Sequence, residues 1–423
     1  MLASPPKIDD APGLKWRRRR TGWSARWQAR DDLIQRGVLP KQVNIYFWQG
    51  EELTNAAINL IRERCQRLQS DMLVWGRGGV NTTVQYDGTV QGLIDCYMTD
   101  ELSSYREVRY FTRKHYNSLC RVLARTEYED DDGVNLTVGE TPIANIKARH
   151  LKRWHRTWTD GGLKIPMGYA VITMLRNLVG FGVTILEDDQ CIRLSAILHQ
   201  LRFPMGKSRN SALTAEQAAM IRDLARTKGY PSIALAQAIQ FEFTWRQKDV
   251  IGEWVPIPEN GSSDITNGHD KWLRGLRWNE IDESMVVHHI TSKRQKLSEP
   301  DIRYAPMVLQ EMMLTFGTVE RAGLPASGAV IVCETTGLPW EPQSFRNMWR
   351  ALATECGIPT TVRNMDTRAG AITEAFAVDA PSDMIRKTAT HSNISMTGKY
   401  SRDDAKATAE VMQLRAASRS NKP

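Results

Sequence analysis

The chain has 423 residues, enough for two or three domains with separate cores at roughly 150 residues each. Its 56 Lys and Arg against 48 Asp and Glu leave a net charge of +8, a balance that points toward a polyanionic partner. Six scattered cysteines (Cys65, Cys96, Cys120, Cys191, Cys333 and Cys356) include no pair at CxxC spacing, which excludes a zinc or redox motif of that kind and fits a reduced, cytoplasmic protein. No window approaches about eighteen uncharged apolar residues, and the opening MLASPPKIDDAPG carries no apolar run, so neither membrane spanning nor secretion is expected.

Residues Leu14 to Arg30, LKWRRRRTGWSARWQAR, hold seven Lys and Arg, no acid and three Trp. Such a run cannot form a conventional amphipathic helix. Basic side chains interleaved with flat aromatic ones suit a flexible arm in which Lys15, Arg17, Arg18, Arg19 and Arg20 neutralise phosphates; a solubilising tail is the alternative. Next, EELTNAAINLIRERCQRLQSDMLVW places Ala57, Leu60, Ile61, Cys65 and Leu68 at helical spacing, and the glycines from Gly76 to Gly79 end that helix. Residues 1–80 are therefore expected to be a basic arm and a helix.

From Thr82 to Arg202 the pattern is helical throughout, which predicts a bundle of four or five helices over residues 81–205. Two of its segments are basic: Arg106, Arg109, Arg113 and Lys114 in one, Lys147, Arg149, Lys152, Arg153 and Arg156 in the other. A charge run is often only a solvated face. Two of them in one bundle, behind a basic arm, favour a surface that tracks a DNA backbone, with Arg113, Lys114, Lys152 and Arg153 as candidate contacts.

The polar stretch FPMGKSRNS, Phe203 to Ser211, contains both Pro and Gly and marks a boundary. A further domain over 212–423 opens on LTAEQAAMIRDLARTKG, where Thr214 and Gln217 stand at capping-box spacing and Gly229 supplies the stop. Within it, ESMVVHHITSKRQKLSEPDIRYAPMVL reads as two β-rich runs around a charged turn, a hairpin. The chain is thus expected to be mainly α with a small β-hairpin or sheet.

The second half places five chemically useful groups in order: Arg246, Lys293, Arg368, His391 and Tyr400. Breaking a phosphodiester without a metal calls for this inventory. Two guanidiniums can stabilise the extra charge of a pentacoordinate transition state. A tyrosine hydroxyl can attack, a lysine can protonate the departing oxygen, and a histidine can bond a phosphate oxygen or help move the tyrosine proton. Each residue also has an ordinary explanation: Arg246 could pair with Asp249, Arg368 with Glu374, and Tyr400 could pack half-buried.

In order and spacing these residues resemble the tyrosine recombinases, the phage and transposon integrases that cut DNA through a 3′-phosphotyrosine. Arg246 and Asp249 match the family's R-x-x-E/D motif, and LRWNEID, Leu276 to Asp282, looks like its L-x-W-x-D-I-D segment. Lys293 in TSK matches the hairpin lysine, Arg368 the arginine of H-x-x-R, and His391 with Tyr400 the G-H-x8-Y box. Two positions depart: Met365 stands where the family has histidine, and Thr390 where it has glycine. An additional stretch, Gly252 to Gly275, rich in Gly, Pro, Ser and Asn, is expected to be a surface loop that leaves the site intact.

The resemblance implies a helical core-binding domain followed by an α+β catalytic domain of the tyrosine-recombinase type, acting on double-stranded DNA without a cofactor or metal. It implies that Arg246 and Arg368 bind the scissile phosphate, Tyr400 attacks it, Lys293 protonates the leaving 5′-hydroxyl, His391 contacts a non-bridging oxygen, and Asp249 orients Arg246. Met365 can neither donate to phosphate nor accept a proton, so that contribution must be absent or come from elsewhere. His288 and His289 on the hairpin strand are taken as structural. After Tyr400, the segment SRDDAKATAEVMQLRAASRS puts Ala405, Ala409 and Met412 on one helical face, which suits a tail helix packing on its own domain; the resemblance implies instead docking on a neighbouring protomer in a homotetramer. A type IB topoisomerase and a DNA-binding protein that lost catalysis are the competing possibilities.

Overall fold

The structure, a computed structural model, describes residues 4–18, 22–35, 38, 42–50, 52–76, 86–129, 133, 135–207, 209–391, 393 and 412. The chain divides into two compact units, Met1–Lys207 and Ser208–Pro423.

The first unit opens with strands β1 (Leu14–Arg18) and β2 (Trp23–Gln28), a short helix α1 (Asp31–Gln35), strand β3 (Gln42–Trp48) and helix α2 (Asn55–Gly76). The three strands form one antiparallel sheet in the order β1-β2-β3. Ala25, Trp27, Val43 and Ile45 pack against Ile61, Cys65 and Met72 of α2. The stretch expected to be a flexible arm is therefore a sheet. Its charge run hides a period of two: Lys15 and Arg17 are exposed while Trp16 between them is partly buried, and Ala25 and Trp27 alternate inward. Burying Trp27 and its neighbours against α2 supplies the apolar contact that a bare arm lacks.

Six helices follow: α3 (Val90–Thr99), α4 (Ser104–Glu107), α5 (Tyr110–Arg125), α6 (Ala148–Trp158), α7 (Ile165–Thr184) and α8 (Asp189–Gln200). They share a core that includes Leu93, Tyr97, Leu123, Leu151, Trp154, Leu175 and Leu178. This region is not helical throughout, since an antiparallel hairpin, β4 (Glu127–Glu129) with β5 (Asn135–Thr137), lies between α5 and α6. The first basic segment is also broken, with Arg106 in α4 and Arg109 at the N-cap of α5.

The second unit begins with α9 (Ala215–Thr227), whose Thr214–Gln217 capping box forms as its spacing predicts. Behind it α10 (Pro231–Glu242) is buried over most of its length, and α11 (Gln247–Ile251) follows after a tight turn. Then come β6 (Glu253–Pro256), β7 (Thr266–Asn267) and β8 (Asp270–Leu273), the hairpin β9 (His289–Ile290) and β10 (Leu297–Ser298), and helices α12 (Pro306–Phe316), α13 (Pro342–Glu355), α14 (Thr367–Ala377) and α15 (Ser382–Thr388). Their core includes Ile221, Leu235, Trp245, Trp278, Phe345 and Trp349.

The stretch from Gly252 to Gly275, expected to be a surface loop, is a three-stranded sheet in the order β6-β8-β7. Gly268 and His269 make the two-residue β7–β8 turn, with Gly268 at φ +57° in the first loop position, where a tight hairpin favours glycine. Trp272 is fully buried and its indole N–H donates to the Ile251 carbonyl at 2.8 Å. It slots between Gly252, at φ +74°, and Gly275; a Cβ at either position would stand 2.3 Å from the indole ring. Buried Glu253 pairs with Lys248 of α11 and with Arg274. The sheet is thus bolted to the C-terminal end of α11. Among the described residues, no helix is long and apolar enough to cross a membrane.

Candidate active site

The site is assembled at the N-terminus of α11. Thr244 takes a left-handed φ of +53° in the turn leaving α10, which lets the chain reverse and sets buried Trp245 and then Arg246 at the N-cap of α11. Arg246 is partly exposed, and its Nη1 lies 4.0 Å from Oδ2 of Asp249. Asp249 is fully buried, and its Oδ1 accepts the Ser292 N–H at 2.6 Å. One carboxylate therefore ties α11 to the turn of the β9–β10 hairpin. That pairing was one of the ordinary explanations for Arg246, and the geometry makes it a support for a half-free guanidinium rather than a closed ion pair.

Lys293 stands exposed in that turn, with no side-chain hydrogen bond or ion pair among the described residues. The turn is closed by Thr291 N–H to the Lys296 carbonyl at 2.9 Å and by Gln295 N–H to the Thr291 carbonyl at 3.0 Å. Its neighbour Arg294, also exposed, was not singled out in the sequence; two successive cations in TSKRQK were the available signal.

Arg368 is the second residue of α14 and is buried. It does not pair with Glu374. Its Nη1 donates to the Thr244 carbonyl at 2.7 Å, and its Nη2 donates to the Ala389 carbonyl. One guanidinium thus joins the turn that carries Arg246 to the segment that carries His391. A second tie, Thr244 Oγ1 to the Thr388 carbonyl at 3.2 Å, runs in parallel.

His391 follows α15 and is only 3% exposed, with its N–H on the Arg386 carbonyl at 2.9 Å. Burial, then the positive charges of Arg368, Arg246 and Arg294, push its pKa down to about 4. The imidazole is therefore neutral at pH 7, with one N–H to donate and one lone pair to accept. Thr390 before it has φ +49°, the left-handed region that glycine enters without strain. The backbone here keeps the shape for which the family pattern uses glycine, at a cost of about 1–2 kcal/mol for a β-branched residue.

Met365 lies in the short turn Asn364–Asp366 ahead of α14 and is 64% exposed. Its neighbours are the anchors: Asn364 donates to Gln240 Oε1 at 2.9 Å, and Asp366 accepts from Arg209 at 2.5 Å. Buried His289 stacks on Trp245 with ring centroids 4.6 Å apart, and its Nδ1 lies 3.1 Å from the Glu280 carboxylate. It braces the site from behind. His288 is exposed between Asp282 and Glu299. Tyr400 lies outside the described residues, as does the segment after it apart from Met412.

The structure gathers Arg246, Asp249, Arg368 and His391 through direct or shared bonds, and brings the turn of Lys293 alongside through Ser292. In the first unit, Lys15, Arg17 and Arg18 are exposed on β1, while Arg19 and Arg20 lie outside the described residues. On α5, Lys114 is exposed over the Phe111 ring and Arg113 donates to the Val108 carbonyl. On α6, Lys152 and Arg153 are exposed, Arg153 also reaching the Glu129 carbonyl at 3.0 Å.

Two solved structures match nearly the whole chain. One is a lambda integrase dimer bound to a COC′ core site, at 14% identity over 95% of this chain and 97% of that one, with a TM-score of 0.53. The other is a lambda integrase tetramer bound to a Holliday junction, at 14% identity over 94% and 97%, with a TM-score of 0.52. The fold is that of the tyrosine recombinases. A lambda integrase fragment, bound as a dimer to the same kind of core site, matches 71% of this chain and 91% of its own at 12% identity and a TM-score of 0.52. No family model and no curated protein matches the sequence. A tyrosine-recombinase fold at such low identity leaves the chemistry to the site residues themselves.

Proposed function

We propose that the chain is a site-specific DNA recombinase that cuts and rejoins DNA through a 3′-phosphotyrosine on Tyr400. The observation that supports this function best is the pair of hydrogen bonds from Arg368 to the carbonyls of Thr244 and Ala389, which ties the turn before Arg246 to the segment before His391. Two guanidiniums and a neutral imidazole suit a phosphodiester. Arg246 and Arg368 bind the scissile phosphate, and Asp249 holds Arg246 in place. The Tyr400 oxygen bonds to phosphorus as the bond to the 5′-oxygen breaks. Lys293 gives the departing oxygen its proton, balancing the one that the tyrosine loses. His391 donates its N–H to a non-bridging oxygen.

In the first unit, Lys15, Arg17 and Arg26 share the outer face of the sheet, and Lys114, Lys152 and Arg153 stand on the helices. These are proposed phosphate contacts on double-stranded DNA, and β-strands are known to enter DNA grooves. Assembly as a tetramer follows the same proposal, as lambda integrase does on a Holliday junction. The test is a nicked duplex built from the DNA flanking the gene, on which the cleaved strand cannot be rejoined. Wild type should trap a covalent adduct and Tyr400→Phe none. A second reading, a DNA-binding protein without catalysis, is favoured by Met365 alone; absence of an adduct from wild type on a duplex that it binds would establish it.

A further inference from the structure

One position of the site lacks a group that the family pattern supplies, and one cation of the site is not used by that pattern. Met365 is 64% exposed, and a thioether has no hydrogen to donate to an anionic oxygen. Arg294 occupies the hairpin turn next to Lys293. That turn is not loose: Gln295 takes a left-handed φ of +51° to close it, and Gln295 Nε2 donates back to the Ser292 carbonyl at 3.3 Å. Its base is fixed to α11, because Ser292 N–H bonds the Asp249 carboxylate that stands 4.0 Å from Arg246. These bonds fix the base of the turn, two residues before the exposed Arg294, beside the carboxylate that faces Arg246.

Acidic side chains hold several arginines of the second unit and leave Arg294 out. Arg222 and Arg226 are held by Glu311, Arg274 by Glu253, Arg277 by Asp264, and Arg303 by Asp301. Arg294 has no hydrogen-bond or ion-pair partner among the described residues. Its field nevertheless reaches buried His391 together with those of Arg368 and Arg246. Placing a third guanidinium near two others works against the free protein and becomes favourable when an anion sits among them.

We propose, resting on the recombinase function above, that Arg294 is a third guanidinium on the scissile phosphate and fills the role left open by Met365. It donates N–H bonds to a non-bridging oxygen and stays protonated throughout. The bonds made and broken are unchanged: tyrosine oxygen to phosphorus forms, phosphorus to 5′-oxygen breaks, and the proton lost by the tyrosine equals the one gained by the leaving oxygen. Arg294 acts by meeting the negative charge that grows on the non-bridging oxygens.

The test uses the full chain, the same nicked duplex, and single-turnover cleavage at saturating protein. Arg294→Gln should slow adduct formation by about 10²- to 10³-fold, the loss typical of one oxyanion donor, with Kd for the duplex within about tenfold of wild type. Because Arg294 is exposed and unpartnered, its melting curve should not move. Met365→His should raise the rate of Arg294→Gln by at least about tenfold and change wild type far less, since the two groups serve one oxygen. Cleavage by Arg294→Gln at the wild-type rate, a loss confined to affinity, or an equal Met365→His effect in both backgrounds overturns the role. A wild type that forms no adduct overturns the recombinase function and this role with it; an active wild type with an unaffected Arg294→Gln overturns this role alone.

Discussion

Arg368→Met separates the two duties of the buried guanidinium. Methionine keeps the unbranched stem of the side chain and removes every donor, so the carbonyls of Thr244 and Ala389 lose their partners at once. Leaving a buried acceptor unpaired costs about 1–3 kcal/mol, so the variant should lose about 2–6 kcal/mol, toward the lower end because Thr244 Oγ1 still bonds the Thr388 carbonyl. The charge is lost as well. Arg368 is the leading charge that depresses His391, so the imidazole should titrate higher than about 4, yet below 6.5 because burial, the larger cause, persists. Arg368→Lys keeps the charge but cannot span both carbonyls, so it should lose about 1–3 kcal/mol while His391 stays low. Denaturant unfolding reads the first effect and an NMR titration of the His391 ring reads the second. A variant as stable as wild type, with His391 unmoved, would refute the picture of Arg368 as the tie between the two segments.

Trp272→Ala should destabilise the second unit by about 3–5 kcal/mol, and Trp272→Phe by less, about 1–3 kcal/mol for the unpaired Ile251 carbonyl, as read by denaturant midpoints; equal losses would mean that the β6–β8 sheet is not bolted to α11. The folded pKa of His391 lies below its ordinary 6.5, so over the window from about 6.5 down to about 4 the unfolded chain binds a proton that the folded chain does not. Its contribution to stability is present above pH 6.5 and is lost as the pH falls toward about 4. His391→Gln should flatten the acid limb of the stability profile in that window, and an unchanged limb would contradict the assignment.

The parts of the site that residue identity encodes were legible in the sequence, and those built from backbone were not. Arg246, Asp249, Lys293, Arg368 and His391 could be named from order and spacing because each offers a specific charge or donor. That Arg368 is spent on the Thr244 and Ala389 carbonyls could not, since a carbonyl carries no residue signature. The capping box at Thr214 and Gln217 was readable because its chemistry is local. At Leu14–Arg30 the density of arginine masked a strand period that Trp16, Ala25 and Trp27 keep. Between Gly252 and Gly275, abundant Gly, Pro and Ser suggested a loop, while Gly268, at the turn, with Lys271-Trp272-Leu273 beyond it carried the hairpin signal. The left-handed φ of +49° at Thr390 is a backbone feature that a threonine does not announce in the sequence.

As proposed above, this gathered set of cations and one histidine presents a phosphodiester to Tyr400. Trapping the full chain on a nicked duplex from its own flanking DNA, digesting the complex and sequencing the nucleotide-bearing peptide by mass spectrometry tests it most directly. The expected product is a nucleotide linked through a 3′-phosphate to Tyr400, absent from Tyr400→Phe and strongly reduced in Arg368→Met. A linkage at another residue, or a bound duplex that stays uncut by wild type, would contradict it.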